Sequence, residues 1–244
     1  GYIKNSTKDY TARDMFVSFS GGKDSTVTSD LVMRALSEPK ILHIFGDTTL
    51  EFPETMKYIE RFKKEHPQTP VVSSRNKDKD FEELCALVGP PSRVMRWCCT
   101  IFKTGAIQRK IKTMFRNKNK IITFYGIRRN ESASRNKYER ETEGSKITKQ
   151  ITISPIIDWM DFDVWLYILT TEIDFNYAYR LGYARVGVVL ITVVGQSFCL
   201  RFICLNSPKD SDSFWLTLQQ RLENLIRKCM WTKESGKQDR GEMA

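Results

Sequence analysis

Long apolar runs are missing from this sequence. No uninterrupted stretch among its 244 residues approaches the roughly 20 that cross a bilayer, so no membrane partner is expected. The segment Gly1–Asp14 is polar and has nothing of a signal peptide. Six cysteines without a secretion signal argue against a disulfide framework. A reducing, cytoplasmic setting is the expectation. Disorder-prone composition is missing too, since 41% of residues are hydrophobic and 11% aromatic.

Charge is plentiful and uneven. The chain carries a net +10, and residues 101–150 hold 14 Lys and Arg against four Glu, an excess equal to that of the whole chain. Such a block is either a solvated face or a surface for a polyanion. Nucleotide phosphates account for part of it, and nucleic acid is the candidate partner for the rest.

The most informative stretch is Phe16-Val17-Ser18-Phe19-Ser20-Gly21-Gly22-Lys23-Asp24-Ser25. Met15–Phe19 is apolar and β-prone. After the glycines, Val27, Leu31, Ala35 and Leu36 recur at helical spacing. The stretch therefore reads as strand, glycine loop, helix. Paired glycines let backbone N–H groups turn inward, and the helix N-terminus adds partial positive charge. Lys23 would supply a mobile point charge, and Ser20 and Ser25 hydroxyls for phosphate or metal. The string does not fit the Walker pattern, which needs four residues between its glycines. It resembles the pyrophosphate-binding loop (PP-loop) of the N-type ATP pyrophosphatases, the adenine nucleotide α-hydrolase superfamily.

Further strands are predicted at Ile41–Phe45, Val71–Val72 and Ile121–Tyr125, with helices at Glu54–His66, Phe81–Val88 and Ile101–Phe115. Met56, Tyr58, Ile59 and Phe62 should line the inner side of the first of these helices. The alternation predicts an α/β fold, a doubly wound, mainly parallel sheet with helices on both faces. Ligands of such sheets sit outside the carboxyl ends of the strands. There the sequence has Asp47, suited to Mg²⁺ or a ribose, and Gly126, Arg128, Glu131 and Arg135, whose guanidinium groups suit phosphate or sulfate.

Taken in order, Asp47-Thr48, Phe52-Pro53-Glu54-Thr55, Arg96-Trp97-Cys98-Cys99 with Lys103, and Gly126-Ile127-Arg128 with Glu131-Ser132 and Arg135 resemble the phosphoadenosine phosphosulfate (PAPS) reductase family. Ser154-Pro155-Ile156, Asp158-Trp159, Asp163-Val164-Trp165, Tyr179–Tyr183 and Arg185-Val186-Gly187 continue the match. The resemblance implies a Rossmann-like nucleotide-binding domain over 1–187, followed by a divergent tail over 188–244. It implies an adenine nucleotide, ATP or a relative, held by Ser18, Ser20, Gly21, Gly22, Lys23, Asp24 and Ser25. Asp47, Gly126, Arg128, Glu131 and Arg135 would complete that site. Lys23, Asp24, Ser25 and Arg128 are the residues it puts at the reaction.

Reductases of this family use a cysteine in a C-terminal Glu-Cys-Gly-type motif, absent here, and usually carry a degenerate glycine loop. The intact loop instead resembles that of relatives that cleave ATP to AMP and pyrophosphate: sulfate adenylyltransferase small subunits, tRNA thiolases and DNA-phosphorothioation (Dnd-type) ATP pyrophosphatases. Adenylation of an acceptor for sulfur transfer, with Mg²⁺ and a sulfur-donor protein, is the expected activity. A sulfonucleotide reductase and a non-catalytic nucleotide- or nucleic-acid-binding subunit are the alternatives. Cys98 and Cys99 resemble half of an iron–sulfur ligand set. The second pair expected after Arg-Val-Gly is replaced by Val188–Ile191, and Cys199 and Cys204 are spaced differently. The edge at Val188 is what a reading-frame shift would leave; ordinary divergence is the alternative, since Phe214–Lys228 keeps helical spacing.

Overall fold

The computed structural model describes residues 1–49, 51–79, 81–89, 97–144 and 149–186. Arg96, Gly187, the expected tail over 188–244 and its Cys199, Cys204 and helical Phe214–Lys228 all lie outside the described residues. Two units are distinguished, Gly1–Arg75 with Phe102–Gly187, and Asn76–Ile101 with Val188–Ala244.

The first unit is organised by a six-stranded sheet. Its strands are β1 (Met15–Phe19), β2 (Leu42–Asp47), β3 (Val71–Arg75), β4 (Ile121–Tyr125), β5 (Glu141–Glu143) and β6 (Gln150–Ile153), in the order β3-β2-β1-β4-β6-β5. All neighbours are parallel except β5 against β6. Four of the five β1 residues are buried, as in a strand covered on both faces. The short β5 ends the sheet with exposed Glu141 and Glu143, charges that discourage edge-to-edge pairing.

The helices of this unit are α1 (Tyr2–Ser6), α2 (Lys23–Leu36), α3 (Pro53–Glu65), α5 (Ala106–Met114) and α6 (Asp161–Thr171); α4 (Phe81–Val88) belongs to the second. Side-chain alternation assigns them to faces. Val17 packs with Val32 of α2, and Phe19 and Phe45 pack with Tyr58, Ile59 and Phe62 of α3. Phe16 and Ile44 point the other way, onto Ile107 and Ile111 of α5 and Phe115 beyond it. Phe16, Phe19 and Phe45 are each at most 1% exposed, and burying such a ring contributes about 1.5–3 kcal/mol. Within the second unit, Trp97 stacks on Phe81 with ring centres 5.3 Å apart, and its indole N–H donates to the Gly89 carbonyl.

Three expectations need correction. Ile101–Phe115 is not one α-helix: Cys99–Gly105 is π-helical and only Ala106–Met114 is α. Thr100, Ile101, Thr104 and Gly105 are poor helix formers, and the wider turn takes up an extra residue there. Met56 is 38% exposed rather than inward, because it lies a residue off the Thr55, Tyr58, Ile59, Phe62 stripe that faces the sheet. The elements α1, β5, β6 and α6 were not foreseen. In β6 the alternating pattern of Gln150–Ile153 was the available sign, with Ile151 and Ile153 in the core.

One buried polar pair joins sheet to helix. His43 in β2 is fully buried, its Nδ1 2.8 Å from the Ile41 carbonyl and its Nε2 2.7 Å from the Ser29 hydroxyl of α2. The neutral tautomer follows: Nδ1–H donates to the carbonyl, and Nε2 accepts from Ser29. Burial pushes the imidazole down to about 4 from 6.5. A depressed pKa means that this contribution is complete above pH 6.5 and is lost as pH falls toward 4, because the unfolded chain takes up the proton first. The loss is roughly 3 kcal/mol at 1.36 kcal/mol per unit. Denaturant titrations at pH 7 and pH 4 should differ by about that much more in the wild type than in His43→Gln. Equal pH dependence in both would remove His43 as the cause.

Candidate functional site

The strand order reverses direction between β1 and β4, and a crevice opens at the carboxyl ends of such a pair. The Ser20–Gly22 loop leaves β1 and enters α2, while Gly126–Arg128 leaves β4 beside it. Gly126 lies so close to the first turn of α2 that a Cβ there would sit 2.6 Å from the Asp24 carbonyl carbon and oxygen and 2.8 Å from the Ser25 nitrogen. Only glycine permits that approach.

The loop is braced from inside and outside. Gly21 adopts φ +71°, and a Cβ would meet Thr55 Cγ2 at 3.0 Å. Its carbonyl accepts from Asn176 Nδ2 at 3.1 Å, and the same amide donates to Thr55 Oγ1 at 3.0 Å. Asn176 Oδ1 accepts the Ala178 N–H, so this fully buried side chain ties loop, α3 and the Tyr177–Tyr179 turn together. Across the loop, the Ser25 hydroxyl donates to the Gly22 carbonyl at 2.9 Å and accepts the Ser20 N–H at 3.2 Å.

Four charges meet at the mouth of α2. Lys23 Nζ lies 3.0 Å from Asp161 Oδ1 and 3.4 Å from Asp24 Oδ2. The Arg128 guanidinium bonds Asp24 Oδ1 through Nε at 2.6 Å and Asp161 Oδ1 through Nη2 at 2.9 Å. Lys23 and Arg128 are only 5% and 4% exposed. The expectation of a mobile lysine is therefore corrected: the ammonium is held by two carboxylates and lies 5.6 Å from the Tyr179 ring centre. Partial burial would raise Asp161, but hydrogen bonding to Lys23 and the charges of Lys23 and Arg128 outweigh it and hold this carboxyl below its usual value. The Tyr179 hydroxyl accepts the Lys23 backbone N–H at 3.0 Å, and burial raises its pKa.

Asp47 ends β2, and its Oδ1 accepts the Thr49 N–H at 2.8 Å. That bond holds Thr49 at φ +65°, a region that β-branched residues avoid. Nearby, burial raises Glu51 against the opposing pull of Lys103. No group of three or more His, Cys, Asp or Glu converges as a metal cage among the described residues. Asp47 is the lone carboxylate of this strand, and Mg²⁺ carried mainly by phosphate oxygens and water often takes only one or two protein carboxylates. Cys98 is buried and Cys99 half-buried; the other thiols weighed for a cluster lie outside the described residues.

Of the residues singled out from sequence, Ser20, Gly21, Gly22, Lys23, Asp24, Ser25, Gly126 and Arg128 come together. Ser18 stays within β1, half-buried and in register with Tyr125. Glu131 accepts the Arg128 N–H at 3.1 Å, pairs with Arg135, and receives Arg185 Nη2 on its carbonyl. Glu131 and Arg135 therefore shape the Arg128 loop rather than join Lys23. Asp161, Asn176 and Tyr179 had no assigned role. Tyr179 stood inside the recognised Tyr179–Tyr183 block, whereas Asp161 and Asn176 carried no local signal. The basic block is also less bare than its composition: Lys118, Lys120, Arg128, Arg129, Arg135 and Arg140 all form internal ion pairs. Lys112 and Arg116, on and just beyond α5, are exposed.

An uncharacterized protein of Methanocaldococcus jannaschii is 35% identical over 187 residues, covering 77% of this chain and 38% of that protein. The chain spans about two fifths of the length of the curated relatives it matches first. The adenosine 5'-phosphosulfate reductase of Anoxybacillus flavithermus is 28% identical over 185 residues, 73% of each chain. Among solved structures, the Candida glabrata FMN adenylyltransferase in complex with ATP shares the fold, with TM-score 0.58 and 16% identity over 77% of this chain and 57% of that one. Residues 14–194 match the phosphoadenosine phosphosulfate reductase domain, and the chain belongs to that family.

Proposed function

We propose that this chain binds ATP and cleaves it between the α- and β-phosphates, adenylating an acceptor for sulfur transfer. The observation that carries the reading is the convergence of Lys23 Nζ and Arg128 Nη2, at 3.0 and 2.9 Å, on Asp161 Oδ1 beside the N-terminus of α2. Two buried cations aimed at one oxygen, beside an intact glycine loop, suit a phosphate group. ATP is also what the Candida glabrata relative of this fold holds in its complex.

In this reading an acceptor oxygen attacks the α-phosphorus, and the bond to the bridging oxygen breaks. The electron pair leaves with pyrophosphate, while AMP stays on the acceptor until a sulfur donor displaces it. Lys23, Arg128 and the loop N–H groups stabilise the charge that builds on the leaving group. Asp47 would hold Mg²⁺, which neutralises phosphate oxygens when bound. Exposed Lys112 and Arg116 favour a nucleic-acid acceptor over a neutral one.

A sulfonucleotide reductase is the second reading, favoured by the adenosine 5'-phosphosulfate reductase that matches over 73% of each chain. It would release sulfite from an adenylyl sulfate with a thiol as reductant. The two are separated by incubating the protein with labelled ATP and Mg²⁺, with and without DNA, tRNA or sulfate, and in parallel with adenylyl sulfate and a dithiol. Pyrophosphate release without sulfite is expected. Sulfite without pyrophosphate would transfer the assignment to the reductase, and neither product would leave a nucleotide- or nucleic-acid-binding subunit.

A further inference from the structure

We propose that Asp161 is a built-in stand-in for a ligand phosphate, a carboxylate that occupies the anion position between Lys23 and Arg128 and is displaced when a polyanion enters. The inference rests on the nucleotide reading above and concerns how that site is filled without its ligand.

A single oxygen, Asp161 Oδ1, receives both Lys23 Nζ and Arg128 Nη2. The two cations are fixed, with side chains 6% and 5% exposed, while the Asp161 side chain is 61% exposed. The carboxylate is thus the partner free to swing away, on a short side chain at the first position of α6. Asp24 is different: its side chain is 19% exposed and Arg128 Nε holds it at 2.6 Å. It stays as the permanent counter-ion. With Asp161 in place, two cations face two carboxylates. With Asp161 turned to solvent, the cluster carries one net positive charge, directed at the α2 N-terminus where a phosphate would sit. A second stand-in supports this, since the Tyr179 hydroxyl takes the Lys23 backbone N–H that a phosphate oxygen would otherwise receive.

A purely structural role predicts the opposite result. If Asp161 only steadies α6 and the two cations, removing its charge should loosen the site and weaken anion binding. If it competes with the ligand, removal should tighten binding. Asp163 provides the control on the same helical turn, because its Oδ2 accepts the Met160 N–H at 2.7 Å, a bond at the helix start.

The experiment is calorimetric titration of inorganic pyrophosphate into the full chain at constant ionic strength, with melting curves for every variant. Asp161→Asn is expected to bind about tenfold more tightly, equivalent to about 1.4 kcal/mol. Asp163→Asn should stay within about twofold of wild type even if it melts earlier. Equal or weaker binding by a folded Asp161→Asn, or an equal gain in Asp163→Asn, overturns the stand-in while leaving the nucleotide reading intact. Failure of wild type and Asp161→Asn alike to bind pyrophosphate overturns both.

Discussion

Lys23→Ala is expected to slow ATP-dependent pyrophosphate release by about 100- to 1,000-fold, the range for losing one preorganised donor to a developing anion. The side chain is 6% exposed and stands 3.0 Å from Asp161 and 3.4 Å from Asp24, so no water molecule replaces its charge at equal strength. Arg128 alone would then face both carboxylates. Stability should change little, because the Asp161 carboxylate is 61% exposed and can rehydrate. Turnover near the wild-type rate in a folded Lys23→Ala protein would remove this lysine from the reaction. Ser25→Ala should act more mildly, since Ser25 holds the loop through the Gly22 carbonyl and the Ser20 N–H.

Gly126→Ala carries the largest expected cost in stability. The added Cβ would lie 2.6 Å from the Asp24 carbonyl carbon and oxygen. These are backbone atoms in the first turn of a helix, so no flexible side chain can give way. Either β4 or α2 must shift, at about 3 kcal/mol or more for overpacking of this kind. In a chain of this size that corresponds to a fall in melting temperature of roughly 6–12 °C. The loop should also lose its geometry, so activity should fall further than stability alone explains. Gly182→Ala is the informative contrast. Gly182 has φ +88° but no atom within 4 Å of an added Cβ, so only backbone strain of roughly 1–2 kcal/mol is incurred. If both variants melt together, the close approach at Gly126 is not what the glycine is for.

The parts of the site legible in the sequence share one property: each is local. The strand Met15–Phe19, the glycine pair and the helix from Lys23 follow one another within a single run of chain, so periodicity and turn chemistry reveal them. The strand Ile121–Tyr125 likewise announces Gly126 and Arg128 at its carboxyl end. Strongly patterned elements were recognised, with α4, β1 and β4 at their observed bounds. Of those missed, α1, β5 and β6 have three to five residues without an apolar run such as β1 and β4 have, and the 11-residue α6 went unread around the Asp163-Val164-Trp165 block.

The α/β class, the run of strand, loop and helix, and the glycine, lysine and arginine positions of the candidate site are legible in the residues themselves. Tertiary structure decided what each charge faces. Arg128 and Asp24 are 104 residues apart and Arg128 and Asp161 are 33 apart, yet they form one ion-pair cluster. No local pattern encodes such a pairing, because the sheet order sets it by laying β4 directly against β1. The same distant packing turned Lys23 from a mobile charge into a held one, and brought Asp161 and Asn176 into contacts that their own neighbourhoods do not reveal.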